Sequence, residues 1–212
     1  MCLRPISIDL NCITLYYFRL VHWMAQLRGN MTRSFLKWAG GKHRVADELI
    51  DVIAKNNPYG IRWDVSTGQR YHEPMLGSGS MFFKLKSCGF INTRKKAFLS
   101  DINSIIISTM KVVSSKTYLT DLIPMLRELQ DKYPLDLPHP NPRNQDKKVR
   151  EKRMFYKKRD RLNVLSKNIG SLTDSELVEL AAIAIFLNKT CFNGLWRMNS
   201  NGDFNTPEGA YT

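Results

Sequence analysis

Two short segments place chemistry-bearing residues at spacings that suit a bound ligand. FLKWAGGK, Phe35 to Lys42, sets two glycines directly before a lysine, with Trp38 four residues ahead of it. A phosphate loop needs G-x-x-x-x-G-K-[ST], but Leu36 stands where its first glycine belongs and His43 follows the lysine. Binding of a nucleoside triphosphate through such a loop is therefore excluded. Lys42 either reaches an anion across closely approaching backbone, with Trp38 offering a flat apolar surface, or is a surface lysine on a helix-entry turn. These eight residues leave both readings open.

The second segment, EPMLGSGS from Glu73 to Ser80, follows a strand candidate and supplies Gly77 and Gly79. Glycines there allow backbone contact with a ligand at the carboxyl edge of a sheet. The spelling is not G-x-G-x-x-G, so a dinucleotide is not supported. Asp101 lies 24 residues beyond Gly77 at the end of the next strand candidate. An acid at about that distance accepts hydrogen bonds from ribose hydroxyls. Together these residues point to an adenosine-containing ligand.

The elements that must hold them read as α/β. A helix is predicted from about Val45 to Lys55, ended by the turn formers Asn56-Asn57-Pro58-Tyr59-Gly60. A strand at Arg70 to Pro74 runs into the glycine turn, a helix starts at Met81 or Phe82, and a strand at Ala97 to Asp101 follows. Strand, glycine turn, helix, strand, acid is the opening of a doubly wound sheet, though two strands alone cannot make a stable one. Ile105 to Lys132 reads as helix with a break near Pro124, and Pro134 to Pro142 is a proline-rich connector. Arg143 to Asn163 carries ten lysines or arginines against Asp146, Glu151 and Asp160, with Phe155 and Tyr156 interleaved. This run is either a solvated helix face or a phosphate-contacting one. Thr173 to Glu176 spells a capping box before the apolar run LVELAAIAIFL, and Asn201-Gly202 suggests a hairpin near the end.

Composition bounds the partners. The 212 residues are 43% apolar, enough for a core, and 32 basic against 19 acidic side chains give a net charge of +13. That excess favours a polyanion such as nucleic acid or an anionic membrane face. Cys2, Cys12, Cys88 and Cys191 form no C-x-x-C pair, so they read as reduced thiols in a cytosol. His22, His43, His72 and His139 are scattered, and no metal site is expected. Leu10 to Leu27 is apolar but contains Arg19 and His22, which argues against a membrane span or a signal peptide. It reads as a docking helix or an upstream extension, with Met31 the natural start of the domain.

FLKWAGGK, EPMLGSGS, LSDIN, FYKKRDRLN and FLNKTCFNGLWRMNSNGDFNTPEG, in that order, resemble the DNA adenine-N6 methyltransferases of the Dam type. The resemblance covers roughly Ser34 to Tyr211 and is weakest between Lys111 and Val149. It implies a Rossmann-like sheet binding S-adenosylmethionine (SAM), with an inserted helical DNA-recognition domain and a β-hairpin. Residues 1–30 would then be an extension, 31–112 the first part of the cofactor domain and 113–212 the target-recognition region. By resemblance, Trp38 and Lys42 line the cofactor site, with Lys42 on the methionine carboxylate. Glu73, Gly77, Ser78 and Gly79 shape the cofactor loop, and Asp101 holds the ribose. Lys37 contacts double-stranded DNA, Phe192 and Asn193 lie near the duplex opening, and Arg197 reads a base in a GATC-like target.

Three departures bear on that reading. Met75 stands where the family usually has Phe, and Ala210 where many relatives place a basic residue. The catalytic tetrapeptide DPPY does not occur; Asn56 to Tyr59 looks like a variant but sits ahead of the glycine loop, outside the family's order. In the family that tetrapeptide grips the N6 amino group and ring of an adenine flipped from the stack. The expectation is that this chain alone transfers little or no methyl. The alternatives are a non-catalytic DNA-binding remnant and a basic RNA-binding protein.

Overall fold

The computed structural model describes residues 6–8, 34–56, 71–88, 90–91, 97–133 and 153–209. Three short strands, β1 (Ile6–Ile8), β2 (Tyr71–Glu73) and β3 (Ala97–Leu99), form a sheet in the order β1-β3-β2. β2 runs parallel to β3 with Tyr71 opposite Ala97 and Glu73 opposite Leu99, while β1 pairs antiparallel along the other edge of β3. Backbone pairing continues past the strand ends. The Ser100 amide donates to the Glu73 carbonyl at 2.9 Å and the Leu76 amide to the Ser100 carbonyl at 3.0 Å. The glycine turn and Asp101 therefore leave the sheet side by side. β2 and β3 stand where the sequence predicts them; β1 falls in the stretch expected as an extension, and occupies the edge that β3 would otherwise leave open.

Six helices accompany the sheet among the described residues. They are α1 (Ala46–Asn56), α2 (Ser80–Ser87), α3 (Ser104–Val113), α4 (Lys116–Lys132), α5 (Met154–Ser166) and α6 (Asp174–Thr190). Gly79, at φ +74°, caps α2, and the Asn103 side chain caps α3 by accepting the amides of Ile105 and Ile106. The predicted break at Pro124 falls instead at Ser114-Ser115, where the Ser115 hydroxyl accepts the Tyr118 amide and starts a new helix. Pro124 is carried inside α4. An interior proline costs ~3 kcal/mol, less than the ~6–12 kcal/mol that the four buried leucines Leu119, Leu122, Leu126 and Leu129 contribute together.

The capping box is present: the Glu176 amide donates to Thr173 Oγ1 and the Thr173 amide to Glu176 Oε2. α6, buried on nearly every side, is the hub against which α3, α4 and α5 all pack. Beyond it the chain makes a 3-10 turn at Phe192–Gly194 and a hairpin held by isolated bridges, Met198 to Phe204 and Cys191 to Glu208. Asn199 closes the tip, its amide donating to the Asp203 carbonyl and its Oδ1 accepting the amides of Asn201 and Asp203, all at 2.9 Å. At the base Glu208, 4% exposed, accepts from Tyr133 Oη at 2.7 Å and from Arg153 Nε at 2.6 Å and Nη2 at 3.0 Å. A carboxylate this buried is tolerated because three donors replace its water.

The expectations for residues 10–27, 57–60, 134–142, 143–152 and 210 lie outside the described residues. Among the described residues no helix is long and apolar enough to cross a membrane.

Candidate functional site

The glycine turn and the acid meet. Asp101 Oδ2 accepts the Gly77 amide at 2.7 Å, and its Oδ1 accepts the Asn103 amide at 2.9 Å. Each oxygen keeps a lone pair free for a further donor. Gly77, at φ +51°, and Gly79 both adopt the left-handed conformation that side chains disfavour. Ser78 is buried; its hydroxyl pairs with that of Ser80 at 2.8 Å and its carbonyl accepts from Ser34 Oγ. Two large apolar side chains, one beyond the end of β2 and one next to Asp101 in the chain, stand in the open: Met75 is 85% exposed and Ile102 89%.

Trp38 closes one side of this turn. A Cβ on Gly77 would lie 2.9 Å from Trp38 Nε1, so only a hydrogen fits between backbone and indole. Lys42 does not join the group: it sits on an exposed 3-10 turn, its Nζ 3.4 Å from the Gly40 carbonyl. Glu73 points back along its own strand and accepts from Tyr71 Oη at 2.7 Å. Burial pushes the Glu73 carboxyl up to about 7, against the lowering effect of the Tyr71 hydrogen bond. Near neutrality it is thus poised between an acid that donates and a carboxylate that only accepts.

A second cluster lies where the FLKW segment meets the end of α6. The Lys37 amide donates to Asn188 Oδ1 at 2.7 Å, and Asn188 Nδ2 donates to the Lys37 carbonyl at 2.8 Å. Asn188 is wholly buried. A Cβ on Gly194, at φ +63°, would sit 2.4 Å from Lys37 Cβ, so this glycine makes room for the lysine stem. Asn193 is the one non-glycine residue with positive φ among the described residues, at +53°. Phe192 beside it is 46% exposed. Lys189, in the last turn of α6, has its ammonium pulled down to about 8, by burial first and by the charge of Lys37 second. The Cys191 thiol is pushed up to about 11 by burial, so it stays protonated and unreactive.

On the hairpin, exposed Arg197 is steadied by Asn205: its Nε donates to Asn205 Oδ1 at 2.8 Å, and the Asn205 amide donates to its carbonyl at 3.1 Å. Asn163, on α5, grips the opposite strand. It accepts the Phe204 amide at 2.8 Å and donates to the Phe204 carbonyl at 3.1 Å.

With this arrangement in view, the comparisons with known proteins are decisive. The profile of the D12 class N6 adenine-specific DNA methyltransferases matches residues 38–212. The chain belongs to this methyltransferase family. It is 37% identical over 180 residues to the type II methyltransferase M.MjaIII of Methanocaldococcus jannaschii, covering 84% of this chain and 53% of that relative. It is 32% identical over 181 residues to a DNA adenine methylase of Serratia marcescens, covering 84% and 50%. A DNA adenine methylase of Escherichia coli shows 28% identity over 179 residues, covering 84% and 48%. The chain spans about half the length of these curated relatives.

Of the residues singled out in the sequence, Gly77, Ser78 and Gly79 form one turn, Trp38 and Asp101 meet it from other segments, and Glu73 stands on the strand leading into it. Lys37, Phe192 and Asn193 gather at the end of α6. Asn163, Asn188, Trp196 and Ile102 escaped the sequence reading. A signal existed for Asn188, a lone amide closing a buried apolar run, which must find backbone partners. None existed for Asn163, in a run that reads only as basic.

Proposed function

We propose that the protein carries the donor-binding and target-recognition parts of an enzyme that methylates adenine N6 in double-stranded DNA at a GATC-like site, with SAM as methyl donor. The observation that carries this reading is the convergence of Gly77, Asp101 and Trp38 on one turn at the carboxyl edge of the parallel strand pair. The residues fit the donor. Asp101 has acceptor capacity left on both oxygens for a ribose diol, the two glycines let backbone approach, and exposed Met75 and Ile102 offer apolar surface to a purine. When bound, the donor would supply a methyl group on an electrophilic sulfonium.

The chain's own residues would bind and orient. Asp101 fixes the nucleoside end, and Trp38 walls off the turn from water. Lys42 would have to swing from its exposed turn to meet the donor's carboxylate. On the target side, Lys37 and Lys189 bring positive charge to the phosphates, Phe192 and Asn193 stand beside the opened pair, and Arg197 offers a fork to a guanine edge, worth ~1–3 kcal/mol of discrimination. We read 31–112 as the cofactor part and 113–212 as the recognition part, acting in the cytoplasm. The 212 residues contain no DPPY. For that reason little methyl transfer is expected from them alone, and a DNA-binding role without transfer is the second reading.

Calorimetric titration of the protein with the donor tests the first reading, followed by incubation with a GATC plasmid and labelled donor. Heat of binding, abolished by Asp101→Ala in a chain that still folds, is expected. A folded chain that releases no heat overturns the donor assignment, and robust label incorporation overturns the expectation of weak transfer. Salt-sensitive retardation of duplex DNA with no incorporation favours the second reading.

A further inference from the structure

The indole of Trp38 faces two structures. On one side is the Gly77 backbone, with room for a hydrogen only. On the other is Trp196, stacked with ring centroids 6.4 Å apart and planes at 23°. Trp196 in turn lies 4.8 Å from the ring of Phe204 across the hairpin. A continuous row of rings therefore runs from the glycine turn to the hairpin that bears Arg197.

The row is fixed at both ends by backbone rather than by its own polar groups. Asn188 clamps the peptide groups of Lys37 on either side of its α-carbon, next to Trp38, and Asn163 clamps those of Phe204. The chain at Trp196 is held likewise, the Leu195 carbonyl accepting from Thr206 Oγ1 at 2.7 Å and the Arg197 carbonyl from the Asn205 amide at 3.1 Å, but its ring has no polar anchor. Its indole N–H is buried and finds no hydrogen-bond partner among the described residues. An unmade bond of this kind costs ~1–3 kcal/mol. The ring is thus held where it is by contact with its aromatic neighbours, each such pair contributing ~0.5–1.5 kcal/mol beyond area burial.

We propose that Trp196 is a positioning residue that ties the seating of the recognition hairpin to occupancy of the glycine turn, so that methyl donor and target DNA strengthen each other's binding. This rests on the function proposed above. A ligand that reaches the face of Gly77 covered by the indole must press on or replace the edge of Trp38. Because the adjoining peptide groups are clamped, the indole answers by tilting, and the surface it tilts against is Trp196. Trp196 passes the tilt into the hairpin, to which the Leu195 and Arg197 carbonyls on either side of it are bonded. The relation is reciprocal by thermodynamic necessity: whatever factor the donor adds to DNA affinity, DNA adds to donor affinity.

The test is a linkage measurement on the protein with SAM and a GATC-containing duplex. Donor affinity is measured with and without saturating duplex, and duplex affinity with and without saturating donor. In the unaltered chain both ratios are expected to be equal and about fivefold or more. Trp196→Leu should bring both to within about twofold of unity, and Trp196→Phe, which keeps a ring in the row, should retain most of the effect. A merely structural Trp196 would lower the melting temperature and leave the ratios intact. Should Trp196→Leu not fold, Trp196→Met, longer and more adaptable in shape and equally without a ring, is read the same way. Independent binding of the two ligands to the unaltered chain, or an undiminished ratio in the folded ringless variant, overturns the proposal. Failure of a folded chain to bind the donor at all is a different result, and it removes the donor assignment together with this inference.

Discussion

Asp101 holds the amide of Gly77 at 2.7 Å, across 24 residues of chain. The same carboxylate takes the Asn103 amide with its other oxygen. One side chain thus shapes the glycine turn, starts the segment into α3 and presents its remaining lone pairs outward. Asp101→Asn retains one acceptor oxygen where two are used. Calorimetry should show donor affinity down by about tenfold or more, with a loss of ~1–3 kcal/mol in urea unfolding. Unchanged affinity in the folded variant would remove Asp101 from the binding site.

Gly194→Ala puts a methyl group 2.4 Å from Lys37 Cβ at a residue with φ +63°. Backbone strain and overpacking together should cost ~2–4 kcal/mol in urea unfolding. Because Lys37 must shift to admit the methyl, duplex affinity should fall in the same variant at protein concentrations where it is still folded.

Asn188→Ala and Asn188→Asp separate space from hydrogen bonding. The first leaves a hole and two unanswered backbone groups beside Lys37; the second keeps the volume but turns a carboxylate oxygen toward the Lys37 carbonyl. Both should lose ~2–4 kcal/mol. Recovery of full stability by Asn188→Asp would show that filling the space matters and the donated bond does not.

Glu73 makes stability depend on pH in a known direction. Its folded carboxyl is raised by burial from the usual 4.5 to about 7, so the folded state binds the extra proton between those values. The contribution is complete below about pH 4.5 and is lost as pH rises through about 7, a change of ~3 kcal/mol. Glu73→Gln should flatten that slope in chemical unfolding measured at pH 5 and pH 7.5. An unaltered slope would place the titration elsewhere.

Arg197→Ala should relax the preference for GATC over an altered duplex by ~1–3 kcal/mol in competition gel shifts. Asn205→Ala should act in the same direction but less, because it frees the guanidinium from its 2.8 Å anchor without removing it. Equal preference in the unaltered chain and in Arg197→Ala would take base reading away from this residue.

How much of this could be read from the sequence differs by element. β2, β3, the glycine turn and the α6 capping box were legible because each depends on local chemistry: glycine at positive φ, an acid ending a strand, a hydroxyl and a carboxylate three residues apart. Pro124 misled because its local penalty is smaller than the burial of the leucine stripe around it, a tertiary quantity. Where the Lys42 side chain lies was not legible for a related reason: spelling gives its position in the chain but not the rotamer of an exposed side chain. Asn163, Asn188 and the Trp38 to Trp196 stack join segments far apart in sequence, and no pattern along the chain marks which amide will meet which backbone.

Tyr133 and Arg153 both end on the two oxygens of Glu208. The end of α4, the segment that opens α5 and the close of the hairpin are therefore fastened at a single point, and this carboxylate works as their knot. Cutting the knot with Glu208→Gln weakens the hold on all three segments at once, where loss of any one donor would leave the other two tied.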